Sequence, residues 1–333
     1  MLLVRWDGKL GDAVVSSFVY RELRKSSRWQ VLAATTPELA GLHVDHFRAD
    51  RLLVTPARPG WLALFQLWRR LGHVDVVVHM GGRLPPRELF FLWLLRPAQV
   101  HGMDDGLRRV RPGLADATRG SSIQERYAEV LRRMGLRDVD TSPLLHPVSP
   151  ARYGSPYVAF NAYASRPDKS MGAAKAARTL ACLAEALPST QFRILDSPAT
   201  RAQARALAQA VARDNVGVLD GLETVQDAIA AVGAADAVVS VDTGIAHVAV
   251  ALGKPLVAIF PSLGDAYDPW LPAPSASVTT VRVPQDVAHY RRTGRKHMDA
   301  FDENDIRDGL LRVLARPAGN RSAVTATDVR QHA

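Results

Sequence analysis

Short apolar runs suited to buried parallel strands alternate with stretches of helical periodicity along this chain of 333 residues, and the alternation stops once and then restarts. Residues 2–4, 31–34, 51–54, 74–79 and 100–102 read as strands. Residues 12–25 between them read as one helix, with Val14, Val15, Phe18, Val19 and Leu23 on its apolar face, and further helices are expected at 38–42, 60–71, 88–95 and 121–134. Pro143, Pro147, Pro150 and Pro156 then break the pattern, because proline lacks the amide that a helix or a central strand needs. Beyond them it resumes with strands at 157–160, 191–195, near 216, at 237–241 and at 255–260, separated by helices and closed by a helix over 303–315. Strands alternating with helices of this length predict a doubly wound parallel α/β sheet, here built twice. The expected division is a first domain over 1–145, a linker over 146–155, a second domain over 156–316 and a flexible tail over 317–333. Two such halves leave a cleft between them, and ligands belong at the carboxyl ends of the strands that face it.

Cys182 is the single cysteine, so neither an intramolecular disulfide nor a cysteine zinc cluster is available. The apolar run at 89–95 is far shorter than the roughly 20 residues of a spanning helix. No signal peptide is visible, and a soluble, cytoplasmic protein is expected. The net charge of +9 is uneven: residues 1–150 carry 22 Lys and Arg against 15 Asp and Glu, residues 151–333 carry 20 against 18. A basic first half suits an anionic partner, although scattered arginines also arise from genome composition. No nucleic-acid motif and no long basic run accompany it.

Three segments carry chemistry. Trp6-Asp-Gly-Lys-Leu-Gly-Asp12 joins the first strand to the first helix, where Gly8 and Gly11 are expected to let the backbone turn. Its spacing is neither a dinucleotide fingerprint nor a P-loop, which argues against an NAD-dependent oxidoreductase. Asp12 is either an N-cap or first-turn carboxylate, or a general base aimed into the cleft. Ser240-Val-Asp-Thr-Gly-Ile-Ala-His247 sits at a strand end, where the amides of Thr243 and Gly244 can face a diphosphate and His247 follows one turn later. The alternative is a capped helix with a core histidine. Phe260-Pro-Ser-Leu-Gly264 is expected to border the same crevice. Asn161-Ala-Tyr-Ala-Ser-Arg-Pro-Asp-Lys169 offers Ser165 and Lys169 to phosphate, or is a solvated loop. Asp138-Val-Asp140, superficially a metal-binding pair, reads as solvated loop. Trp61, Leu64, Phe65, Trp68 and Leu71 recur at helical spacing beside Arg69 and Arg70, as a core-facing stripe or a membrane-surface helix.

Taken together, these segments resemble the ADP-heptose:lipopolysaccharide heptosyltransferases, glycosyltransferase family 9, over nearly the whole chain. Gly11-Asp-Ala-Val-Val-Ser16 looks like the family's Gly-Asp turn after its opening strand. Asp242-Thr-Gly-Ile-Ala-His247, with the alanine-rich helix after it and Gly253-Lys-Pro255, is similar to the family's second-half signature. Leu219-Asp-Gly-Leu-Glu-Thr224 and Met298-Asp-Ala-Phe301 match its flanking motifs. The resemblance implies a GT-B fold of two Rossmann-like doubly wound domains facing a central cleft, with the acceptor on the first and the nucleotide-sugar on the second. It also implies inversion at the anomeric carbon without a metal or other cofactor, the ADP-sugar being a co-substrate. Asp12 would be the catalytic base. Ser165, Lys169, Thr243, Gly244 and His247 would hold the donor diphosphate and sugar, and Asp242 would contact the heptose. The implied partners are the nucleotide-sugar donor and an anionic glycolipid acceptor of lipopolysaccharide-core type. The implied place is the cytoplasm, with peripheral contact at the inner membrane and no nucleic acid. Two departures stand out. Asn161-Ala-Tyr-Ala164 replaces a loop often richer in Thr or Gly, and Asp196-Ser-Pro-Ala199 lacks the Glu that holds the adenosine ribose in some members. A nucleotide-sugar-binding protein without transferase activity, or a transferase with another donor or acceptor, is the alternative.

Overall fold

The computed structural model describes residues 1–81, 84–104, 106–107, 113–146, 156–264 and 268–315. Of the expected linker only residue 146 falls within that range, and the expected tail at 317–333 lies outside it. The strands form two separate, wholly parallel sheets. The first comprises β1 (Leu2–Arg5), β2 (Leu32–Thr35), β3 (Arg51–Val54), β4 (Val76–His79) and β5 (Gln99–Gly102), in the order β3-β2-β1-β4-β5. The second comprises β6 (Tyr157–Asn161), β7 (Gln191–Leu195), β8 (Val216–Leu219), β9 (Ala237–Val241), β10 (Leu256–Ser262) and β11 (Val278–Pro284), in the order β11-β10-β9-β6-β7-β8. Each sheet winds outwards in both directions from its first strand, as the alternation predicted.

The first half carries helices α1 (Leu10–Val15), α2 (Phe18–Arg24), α3 (Pro37–Gly41), α4 (Trp61–Leu71), α5 (Pro86–Leu95), α6 (Leu114–Ala117) and α7 (Ile123–Arg133). The second carries α8 (Ala173–Ala186), α9 (Arg201–Val211), α10 (Val225–Ala234), α11 (Gly244–Ala251), α12 (Val287–Thr293) and α13 (Glu303–Leu314). Among the described residues no helix is long and apolar enough to cross a membrane.

Alternation of side chains across each strand sorts the core. Leu2 and Val4 enter a cluster confined to the first half, whereas Leu3 enters one shared with the second. Val239 and Val241 likewise belong to a cluster of the second half alone, and Val238 to the shared one. Each sheet therefore buries one face in its own core and the other in a core common to both halves.

Two local expectations change. The single helix expected over 12–25 is two helices. The Ser16 hydroxyl donates to the carbonyls of Asp12 (2.8 Å) and Ala13 (3.2 Å), and the Ser17 hydroxyl donates to that of Val14 (2.6 Å). Such back-bonding competes with the helical ladder and ends α1 one turn after it starts. The strand β11 was not anticipated. It is an edge strand, mostly half-buried, and its alternation of Val with Thr and Arg lacks the continuous apolar run of a central strand.

Candidate functional site

In each sheet the first strand lies beside the fourth, so the connections on its two sides leave in opposite directions and open a crevice at the carboxyl edge. The crevice of the first sheet, between β1 and β4, receives the loop that ends in Asp12. Gly8 takes φ +67°, the left-handed conformation that glycine adopts without strain, and turns the chain into α1. Lys9 is the N-cap of α1 and Asp12 its third residue. No side-chain capping bond forms at this helix start, so Asp12 lies in the first turn without serving as the cap.

Its carboxylate faces a buried charge instead. Arg5, the last residue of β1, is only 6% exposed, and its Nη2 lies 3.5 Å from both Asp7 Oδ2 and Asp12 Oδ2. Arg5 Nη1 donates to the Tyr127 hydroxyl at 2.7 Å. Lys9 Nζ approaches Asp12 Oδ2 at 3.8 Å from solvent. Burial pushes Asp12 up to about 6, with Asp7 adding to the rise while Arg5 and Lys9 oppose it. Burial works against the charge on Arg5, yet Tyr127, Asp7 and Asp12 hold its guanidinium protonated more firmly than usual. Burial lifts Tyr127 to about 12, so its hydroxyl keeps its proton. The result is a carboxylate ionised at neutral pH and more basic than an exposed aspartate, which suits a general base. The adjoining strand end is braced by His79 Nε2 against Glu88 Oε2 at 2.9 Å, with the Trp6 ring edge-on to His79.

At the second crevice, between β6 and β9, Asn161 pairs in register with Ser240. Its Nδ2 donates to Ser240 Oγ (2.9 Å) and to Thr243 Oγ1 (3.0 Å), tying the end of β6 to the start of α11. Thr243 caps α11 by accepting from the Ile245 amide at 3.2 Å. Lys169 Nζ reaches Asp242 Oδ2 at 2.7 Å, and Asp242 is almost fully buried. His247 is buried, edge-on to Phe260 and Trp270. Burial lowers its imidazole to about 4, with Lys169 acting in the same direction and Asp242 opposing. At neutral pH it can offer hydrogen bonds but no charge. The structure thus gathers Lys169, Asp242, Thr243, Gly244 and His247 around one helix start. Ser165 is exposed in the loop before them. Lys296, on the segment before Met298, belongs to the same charged group: burial, then Lys169 and Arg166, lower it to about 8. Asp196, just after β7, accepts from Arg201 Nε at 2.8 Å through Oδ2, while its buried Oδ1 has no hydrogen-bond partner among the described residues.

The two crevices meet. A Cβ on Gly11 would lie 2.7 Å from His247 Cδ2, and one on Gly244 would lie 2.8 Å from Leu10 Cβ and 3.0 Å from the Gly11 nitrogen. Gly11 therefore does not make the turn expected of it. It is helical, and its bare Cα admits the imidazole of the other half. The starts of α1 and α11 face each other across the cleft, with Asp12 one residue beyond this contact. Asp140 pairs with Arg21 (3.0 Å) and accepts from the Ser142 amide (2.8 Å), a solvated surface role as expected.

Arg5, Asn161 and Lys296 were not singled out as contributors. Arg5 carried a signal, since a charged residue ending a fully apolar strand run must find a partner where the strand opens. Asn161 opened a quoted loop but was read only as a departure. Lys296 lies in the basic stretch Arg291-Arg292-Thr-Gly-Arg295-Lys296-His297, a signal that could have marked it.

The family model of glycosyltransferase family 9 (heptosyltransferase) matches residues 87–291. No curated protein sequence matches the chain. Among solved structures, a glycosyltransferase of family 9 from Veillonella parvula superposes with a TM-score of 0.74 at 14% identity, covering 94% of this chain and 96% of that one. ADP-heptose lps heptosyltransferase II of E. coli gives a TM-score of 0.69 at 19% identity over 94% and 98%. E. coli heptosyltransferase WaaC with ADP gives 0.64 at 17% identity over 92% and 95%. Similarity at these identities establishes the shared two-domain fold, which is the GT-B arrangement.

Proposed function

Because the chain belongs to glycosyltransferase family 9, the heptosyltransferases, we propose that it moves a heptose from ADP-heptose to an anionic glycolipid acceptor of lipopolysaccharide-core type, with inversion at the anomeric carbon. The observation that carries this reading is the packing of Leu10 and Gly11, the two residues before Asp12, against Gly244 and His247 at the start of α11, which brings a carboxylate of raised proton affinity near a helix start suited to an anion. In the proposed reaction an acceptor hydroxyl gives its proton to Asp12 and its oxygen attacks the anomeric carbon. The bond to the diphosphate breaks with its electron pair, and the nucleoside diphosphate leaves. Lys169, Ser165 and the backbone at Thr243 and Gly244 neutralise that leaving group, while neutral His247 supplies a hydrogen bond to the donor. One base and one anion hole suffice for a direct displacement, so the proposal invokes no cofactor or metal.

Asp242 takes a further role in this reading. Before the donor arrives it holds Lys169, and the diphosphate then competes for the same ammonium. Residues 1–145 would bind the acceptor and residues 156–316 the donor, at the cytoplasmic face of the inner membrane. The family match begins after Asp12, so the assignment of the base rests on its geometry and on the resemblance of its loop.

Two measurements test the proposal. Thermal shift against ADP-, UDP- and GDP-sugars should show stabilisation by ADP-heptose above the others. NMR of the transferred product should show an anomeric configuration opposite to that of the donor. A preference for UDP- or GDP-sugars would overturn the donor. Retention of configuration would overturn the mechanism.

A further inference from the structure

The outer surface of α4 and α5 is apolar in a way that the cleft chemistry does not use. Among the described residues, every exposed Trp or Phe lies on these two helices: Trp61 (55%), Phe65 (41%), Phe90 (36%) and Trp93 (48%), joined by Leu62 at 70%. Trp61, Phe90 and Trp93 form a chain of ring contacts. Trp61 and Phe90 rings bridge the two helices at 5.5 Å, and Phe90 stacks on Trp93 at 5.7 Å. This is not the core-facing stripe of α4, which is a different set of residues: Leu64, Leu67 and Leu71 are buried against the sheet. The stripe expected from spacing therefore divides, and one part of it points outwards. An exposed cluster of aromatic side chains marks a contact surface.

Charge identifies the occupant. Residues 55–72 and 84–98 contain Arg58, Arg69, Arg70, Arg87 and Arg96 against a single carboxylate, Glu88, which is buried on His79. Arg96 lies over the Trp93 ring at 5.9 Å. The solvent-facing side of the pair thus offers tryptophan, phenylalanine, leucine and guanidinium with no exposed anion. A second copy of the chain fits poorly, because a two-fold contact sets each patch against itself and would bring arginine against arginine. An anionic bilayer answers both properties, taking the aromatic rings at its interface and the arginines at its phosphates.

Position agrees with this. The Arg58 amide donates to the Trp6 carbonyl at 3.1 Å, so α4 starts beside the loop that carries Asp7 and Asp12. The other helix, α5, follows the carboxyl end of β4, on the same edge of the sheet. We propose that the α4–α5 face docks on an anionic lipid bilayer through Trp61, Leu62, Phe65, Phe90 and Trp93 with their arginine rim, placing the first-half crevice at the membrane surface. The link from this surface to a lipid-borne acceptor rests on the transferase reading above; the docking itself does not.

The test is co-sedimentation of the full chain with vesicles of phosphatidylcholine alone and of phosphatidylcholine with about a third phosphatidylglycerol, with tryptophan emission read in parallel. Wild type should bind the phosphatidylglycerol vesicles with a blue shift, bind the neutral ones weakly, and lose most of its binding in high salt. The triple variant Trp61→Ser, Phe90→Ser, Trp93→Ser should lose at least tenfold in partition, and Arg69→Gln with Arg70→Gln should lose several-fold on anionic vesicles only. Both variants should unfold near the wild-type urea midpoint, which shows that they fold. Absence of wild-type binding, or unchanged partition of the triple variant, overturns the proposal. So does a dimer seen in sedimentation velocity that the triple variant abolishes without any vesicle binding. Since no donor or acceptor is present, these results stand apart from success or failure of the transferase reading.

Discussion

The two halves repeat one topology and place opposite chemistry at the same structural point. At the β1–β4 crevice the strand ends in Arg5 and the loop supplies Asp7 and Asp12, so proton affinity is set by buried charges. At the β6–β9 crevice β6 ends in Asn161 beside Ser240 of β9, and the loop supplies Thr243, a glycine and a neutral histidine, so hydrogen-bonding groups dominate there, with Lys169 and Lys296 as cations and Lys169 paired to Asp242. The sheet fixes where a ligand goes in both halves. Side chains at the strand ends decide whether that place is governed by buried charges or by hydrogen-bonding groups.

Removing the charge that holds the first crevice together should have the largest effect on the comparison. Arg5→Met leaves Asp7 and Asp12 facing each other with solvent-exposed Lys9 as the cation beside Asp12, and should cost about 3 kcal/mol or more of stability in urea unfolding, as for a broken buried pair. A loss below about 1 kcal/mol would mean that the triad is solvated and the contrast with the second half is weak.

The response to acid comes next, and the halves should oppose each other. His247 is held near 4 against an ordinary 6.5, so below pH 6.5 the unfolded chain takes up a proton that the folded chain refuses, and stability falls as pH drops from 6.5 towards 4. Asp12 is held near 6 against 3.8, so the folded chain takes up its proton first and stability rises as pH drops from about 6 towards 3.8. The two groups act in opposite directions over overlapping pH windows. His247→Asn should therefore make unfolding less acid-sensitive between pH 6.5 and 4, and Asp12→Asn more so. Parallel pH curves for the two variants would break the comparison.

In the second half, Lys169→Met should weaken ADP binding in calorimetry by about tenfold or more, roughly 1.5–3 kcal/mol for a charge-assisted contact. It should also destabilise the chain by leaving Asp242 buried without its ammonium. Adding Asp242→Asn should restore the stability and not the binding. The smallest effect is expected from Asp7→Asn. Asp7 raises Asp12, so its removal should shift the acid limb of kcat/KM below pH 6 by a fraction of a unit, whereas removal of Arg5 should shift it upwards. Equal directions in the two pH profiles would show that neither residue acts on the base.

The sequence made the second crevice more legible than the first. Asp242-Thr-Gly-Ile-Ala-His247 is contiguous, and a strand end followed by a helix start places its groups by backbone geometry alone. The first crevice depends on Arg5 meeting Asp12 and Tyr127, which lie seven and 122 positions away, and no local pattern encodes that meeting. Gly11 suggests a turn by its type and place, whereas its bare Cα serves a contact with the other half. Ser16 and Ser17 looked compatible with one long helix until their hydroxyls were seen to bond backwards. Edge strand β11 was hidden by its half-exposed surroundings.

The central claim is that the base and the anion hole reside in different halves, and Asp12→Asn tests it most directly when donor affinity and transfer are measured on the same preparation. The account predicts ADP-heptose affinity within about twofold of wild type, with transfer to the glycolipid acceptor lowered by roughly 10²–10⁴, the usual range for loss of a general base. Undiminished transfer, or donor affinity falling in step with it, would contradict the account.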